Sequence, residues 1–172
     1  MSRRYASPSL LANHHRAGSF ACRSVEQTEW LRQYARQSTA TGTTKVFVVT
    51  AHGDDDVVAY YAWRMAHVAI ADAPLRVRRG AGRSPQPVAL LARLGVDEGH
   101  EGHGLGAGLL ADVIARLVAL DKTIGCRGLL IHAENDDART FYLHLIPELE
   151  ASPTDPLHLV LLMKDARHSL QL

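Results

Sequence analysis

Between Val96 and Leu120 the chain reads VDEGHEGHGLGAGLLADVIARLVAL, with five glycines in its first half and an amphipathic run behind them. Gly102, Gly104 and Gly106 alternate directly before the helical run, so several main-chain N–H groups can turn toward one point at a helix N-terminus. An anion suits that point. Glycine tolerates positive φ and places no side chain in the way of a close approach, whereas a simple strand-to-helix turn would need only one glycine. Gly102, Gly104 and Ala107 also fit the dinucleotide pattern G-x-G-x-x-A. In that pattern the first glycine follows its strand directly, and here DEGHE intervenes. Too little chain follows Ala133 to supply the further βα units such a fold requires.

The surrounding segments predict an α/β fold. SVEQTEWLRQYARQS places Val25, Trp30, Leu31, Tyr34 and Ala35 near one helical face, with Ser24 and Gln27 in capping-box positions. TKVFVVTA and VVAYYAWRMAHVAI read as two strands of a hairpin joined by the polar turn HGDDD. DAPLRVRRGAGRSPQP, Asp72 to Pro87, reads as a mobile loop, because its four arginines lie among prolines and glycines. VALLARLGV is a buried strand, RGLLIHA another, ENDDARTFYLHL a helix with an acidic start, and LHLVLLMK a last strand. A helical crossover between VALLARLGV and RGLLIHA makes a mixed sheet with helices on both faces.

Length and composition fit one soluble domain spanning residues 1–172, since the 172 residues are 47% hydrophobic and 22% charged. Apolar runs such as LHLVLLM fall far short of the ~20 residues a membrane helix needs, and the basic start leads into no apolar signal segment. No membrane partner is expected. Two cysteines, Cys22 and Cys126, make no disulfide framework, which favours a reducing, cytoplasmic setting. The net charge of +1 leaves a nucleic-acid partner open, because local clustering creates the field that a phosphate backbone feels.

The segment LGVDEGHEGHGLGAGLL resembles, in order and spacing, the acetyl-coenzyme A site of GNAT acetyltransferases: a strand, a short polar gap, then Q/R-x-x-G-x-G/A and a helix. Glu101 stands where Gln or Arg is usual. Trp30-Leu31 in a helix after FAC, VVAYYAW, LARLGVD, RGLLIHAENDDARTFY and SPTDPLHLVL together resemble the GNAT toxins of type II toxin–antitoxin pairs, over roughly residues 8–165. The resemblance implies a GNAT fold and transfer of acetyl from acetyl-CoA to the α-amino group of aminoacyl-tRNA, which blocks translation. It also implies a ribbon–helix–helix antitoxin as partner, and a homodimer. Where that family commonly has FYxxxGF, this chain reads FYLHLIPEL and lacks the later aromatic.

By the same resemblance, Gly102, His103, Gly104, Leu105, Gly106 and Ala107 supply main-chain donors to the coenzyme pyrophosphate. Leu94, Gly95 and Val96 hold the pantetheine and offer an N–H to the thioester carbonyl, and Asn135 and Phe141 line the coenzyme. Tyr142 is the proton donor to the departing thiolate; from the residues alone it would read as a half-buried core aromatic. No base is assigned, because an α-amine titrates at about 7.7–8.0 and a neighbouring ester lowers it further. Arg76, Arg78, Arg79, Arg83 and Arg93, with Arg3, Arg4 and Arg16 upstream, could form a track for tRNA phosphates, although a charge run is usually just solvated. His100, Glu101 and His103 lack H-E-x-x-H spacing and lie in a turn, so no metal is expected. An acetyltransferase of small amines or protein N-termini, and a noncatalytic coenzyme-binding module, are the alternatives.

Overall fold

The computed structural model describes residues 4–170. They fall into two compact units, the first from Met1–Arg64 and Ala92–Asp112, the second from Met65–Leu91 and Val113–Leu172. The elements are β1 (Ser9–Leu10), α1 (Val25–Glu29), α2 (Ala35–Ala40), β2 (Lys45–Thr50), β3 (Val57–Val68), α3 (Leu75–Arg78), β4 (Gln86–Val96), α4 (Leu105–Leu120), β5 (Gly128–His132), α5 (Asp136–Leu145), β6 (Glu150–Ala151), β7 (His158–Leu162) and α6 (Met163–Ser169). The strands form one mixed sheet of order β1-β2-β3-β4-β5-β7-β6, in which β3 and β4 each contribute residues to both units.

In the first unit, β2 and β3 form the expected antiparallel hairpin, in register from Lys45↔Trp63 to Thr50↔Val57. Its connection turns at Gly53, φ +77°, and the Asp54 carboxylate accepts the N–H groups of Asp55 and Asp56. Arg16 pairs with Asp54, Asp55 and Asp56. Val57 through Trp63 are all buried, as in a strand covered on both faces, so no polar alternation marks them. Phe20, Leu31, Ala35, Val46, Val48, Val57, Tyr60 and Ala62 make the core beneath.

The helix expected from Ser24 onward forms with a different buried face. Ser24 Oγ accepts the Gln27 N–H as a cap should, but Trp30–Tyr34 is π-helical, with the Ala35 N–H bonded to the Trp30 carbonyl. That wide turn rotates the residues beyond it relative to a regular helix. Gln27, Thr28, Leu31 and Ala35 are buried, whereas Val25 is 70% and Tyr34 53% exposed.

In the second unit, β4 and β5 run parallel through Ala89↔Leu129 and Leu91↔Ile131, as the helical crossover required. β5 and β7 are antiparallel from Gly128↔Leu162 to His132↔His158. A Cβ on Gly128 would collide with the Leu161 carbonyl, so packing dictates that glycine. The final strand ends earlier than LHLVLLMK suggested: Met163 and Ala166 turn into the core as part of α6. Two-residue strands such as β1 and β6 are too short to show a period and were not foreseen.

The Asp72–Pro87 segment is not a plain loop. Ile70–Asp72 form a 3-10 turn and α3 follows, with Ala73 and Val77 buried and the Arg127 guanidinium donating to the Val77 carbonyl. Two small apolar anchors hold the segment down despite its proline and glycine content. Among the described residues no helix is long and apolar enough to cross a membrane.

Candidate functional site

The glycine turn of the first unit begins where β4 ends. The β4–β5 ladder stops at the Leu91–Ile131 pair, while β4 runs on through Leu94 and Gly95 to Val96. Gly95 is held by contact: a Cβ there would lie 3.2 Å from Tyr60 Cε1 and 3.3 Å from both Cys22 Sγ and Phe20 Cζ. Asp97 then caps the bend. Its carboxylate accepts the Gly99 N–H at 2.9 Å and the Ala21 N–H at 3.0 Å, and the Glu98 N–H returns a bond to the Ala21 carbonyl at 2.9 Å.

Gly102 and Gly104 have φ of +79° and +76°, the left-handed region that disfavours side chains, whereas Gly106 lies within α4. A Cβ on Gly102 or Gly104 would meet nothing within 4 Å, so backbone conformation and not crowding selects these glycines and leaves open space before the turn. The first closed α-helical bond runs from the Gly108 N–H to the Gly104 carbonyl at 3.0 Å. The N–H groups of Leu105, Gly106 and Ala107 precede it, at the positive end of a sixteen-residue helix with no acidic residue in its first turn. Geometry and charge at this helix end suit an anion.

The residues flanking the turn are engaged. Arg23 grips the Glu101 carboxylate in a fork, Nε to Oε1 at 2.8 Å and Nη2 to Oε2 at 2.8 Å. Tyr5 Oη lies 2.9 Å from His100 Nδ1, and Arg4 Nη1 3.4 Å from His103 Nε2. Among the described residues no group of three or more His, Cys, Asp or Glu side chains could hold a metal ion.

In the second unit, Asn135 caps α5, its Oδ1 accepting the Ala138 N–H at 2.9 Å. Phe141 is 36% exposed and meets the Tyr142 ring edge-on at 5.4 Å between centroids. Tyr142 is only 6% exposed, and among the described residues nothing hydrogen-bonds its hydroxyl. Burial, reinforced by the charge of Glu134, pushes the phenol well above the ordinary tyrosine range. The group therefore keeps its proton at neutral pH.

The arginines divide by partner. Arg76 lies between Glu150 and Asp165, each at 2.9 Å, so two carboxylates already take up its guanidinium. Arg93 pairs with Glu26 at 2.7 Å and lies over the Trp30 ring, 5.6 Å from its centroid. Arg78, Arg79 and Arg83 are exposed. Arg3 lies outside the described residues. Sequence reasoning missed Arg23, which stands 78 positions before its partner with no motif around it.

The chain matches the acetyltransferase (GNAT) family over residues 13–145. A tRNA-acetylating toxin of Mycobacterium tuberculosis is 44% identical to it over 163 residues, covering 95% of each chain. Among the solved structures that share the fold are two of AtaT. AtaT complexed with acetyl-methionyl-tRNAfMet matches with a TM-score of 0.86 at 18% identity, over 95% of this chain and 98% of that one. A tyrosine-to-phenylalanine mutant of AtaT, bound to the C-terminus of the antitoxin AtaR and acetyl-CoA, matches with a TM-score of 0.80 at 17% identity, over 96% and 98%.

Proposed function

Since the chain belongs to the acetyltransferase (GNAT) family and has its fold, we propose that it moves the acetyl group of acetyl-CoA to the α-amino group of aminoacyl-tRNA and so stops translation. The observation that carries this reading is the 44% identity, over nearly the whole chain, to a tRNA-acetylating toxin. The reading takes residues 1–172 as one acetyltransferase domain that works in the cytoplasm, where its acceptor is. A ribbon–helix–helix antitoxin holds it in check, in keeping with the antitoxin-bound AtaT structure, and the active form is a homodimer.

Acetyl-CoA supplies an activated thioester carbonyl. The N–H groups from Gly102 through Ala107 receive the pyrophosphate, since the turn offers several donors, a helix dipole and no obstructing side chain. Main-chain groups of Leu94, Gly95 and Val96, beyond the β4–β5 ladder, hold the pantetheine and offer an N–H to the carbonyl oxygen. Asn135 and Phe141 line the coenzyme. The acceptor amine attacks in its neutral form, which is well populated near neutral pH, so the chain needs no strong base. As the N–C bond forms and the C–S bond breaks, the amine proton leaves to water. Tyr142 gives its proton to the sulfur and regains one from solvent. Arg78, Arg79 and Arg83 meet tRNA phosphates, while carboxylates compete for Arg76 and Arg93.

Calorimetry and an acceptor panel test the reading together. The parent binds acetyl-CoA, Gly104→Glu does not, and acetyl transfer goes to charged tRNA in preference to polyamines or peptides. Equal coenzyme binding by a folded Gly104→Glu protein, or preference for another acceptor, would overturn it.

A further inference from the structure

We propose that Arg23 is a positioning residue for the coenzyme: by neutralising Glu101 it makes the entrance to the glycine turn passable to a pyrophosphate. This rests on the coenzyme reading above. Glu101 immediately precedes Gly102, the first positive-φ residue of the turn, so a bare carboxylate there would repel the anion that the α4 N-terminus attracts. Arg23 occupies both carboxylate oxygens through Nε and Nη2, which leaves the two N–H groups of Nη1 unspent by this fork.

Two further observations separate this role from one in stability. The Arg23 side chain is 81% and that of Glu101 34% exposed, and an ion pair so open to water contributes little to folding. The segment that carries Arg23 is nevertheless fastened in place. Ala21 exchanges bonds with Asp97 and Glu98, the Cys22 N–H donates to Thr28 Oγ1 at 3.0 Å, and Ser24 caps α1. Asp97 and Glu98 begin the descent into the glycine turn itself, so the guanidinium is anchored on both sides to the backbone it serves. Such an arrangement holds a charge at a chosen point.

The test is a double-mutant cycle on the full chain, read by calorimetry with acetyl-CoA at low and high salt. Arg23→Ala should weaken binding roughly tenfold at low salt, the order expected of one exposed unit charge acting on a doubly charged pyrophosphate well within a Debye length, and by less at high salt. Adding Glu101→Gln to Arg23→Ala should restore most of that loss, and Glu101→Gln alone should bind at least as tightly as the parent. A purely structural ion pair would give losses of the same sign from either side and no rescue. If the parent binds and Arg23→Ala binds equally well, or if Glu101→Gln fails to rescue, the inference falls alone. If the parent does not bind acetyl-CoA, the coenzyme reading falls and takes the inference with it.

Discussion

Tyr142→Phe should separate folding from chemistry, because the structure assigns the hydroxyl no partner. The ring is buried and packed against Phe141, and phenylalanine keeps it. A hydroxyl without a protein partner adds little to folding, so its removal should leave the unfolding midpoint nearly unchanged. Catalysis should move the other way. Loss of a general acid is worth about 10²–10⁴ in rate, or roughly 3–5 kcal/mol of barrier, and the loss should appear in single-turnover acetylation of aminoacyl-tRNA with acetyl-CoA affinity unchanged. The raised phenol adds a signature in stability. Its folded-state pKa lies above the unfolded value, so its contribution is fully present below about pH 10 and lost as pH rises beyond that. The parent should therefore lose up to ~1.4 kcal/mol per pH unit relative to Tyr142→Phe above about pH 10, read from urea midpoints. A folded variant that acetylated at the parent rate would make Tyr142 a packing residue and send the proton through water.

Three further outcomes rest on particular contacts. Gly95→Ala should destabilise by about 1–3 kcal/mol in chemical denaturation, because its Cβ meets the enclosed rings of Tyr60 and Phe20 and the Cys22 sulfur. His15 is buried, and its Nδ1 accepts the Ala12 N–H at 2.9 Å. Burial, helped by His14, lowers its pKa, so stability should fall as pH drops below about 6.5 through the lower folded-state value. His15→Asn, which keeps an acceptor for Ala12, should remove that part of the acid limb. Replacing Arg78 and Arg79 with alanine should flatten the slope of log tRNA affinity against log salt by up to about 2, and an unchanged slope would return both to solvent.

The parts of the fold legible in the sequence are those governed by local rules. The β2–β3 hairpin and the parallel β4–β5 crossover were visible because β-branched runs and a glycine-to-helix transition each state their conformation locally, whereas the Asn135 cap on α5 emerged only in the structure. The helix after Ser24 was visible in extent but not in its buried face, since the π-helical stretch Trp30–Tyr34 interrupts the regular helical period. The Asp72–Pro87 segment misled for the opposite reason. Its composition is that of a loop, yet Ala73 and Val77 find buried seats that only tertiary contact reveals. At the candidate site, the spacing of the glycines marked the left-handed turn ahead of α4. The partners of the charged residues stayed hidden, because Arg23 to Glu101 and Arg76 to Asp165 are pairings across long sequence separations.

Mass spectrometry of a total aminoacyl-tRNA pool, after incubation with the purified protein and isotopically labelled acetyl-CoA, tests the central claim most directly. The account predicts labelled acetyl on the α-amino group of the esterified amino acid, released with it on mild alkaline hydrolysis, and none when Tyr142→Phe is given the same short reaction time. Label found only on polyamines, on protein N-termini or nowhere, with the charged tRNA unmodified, would contradict it.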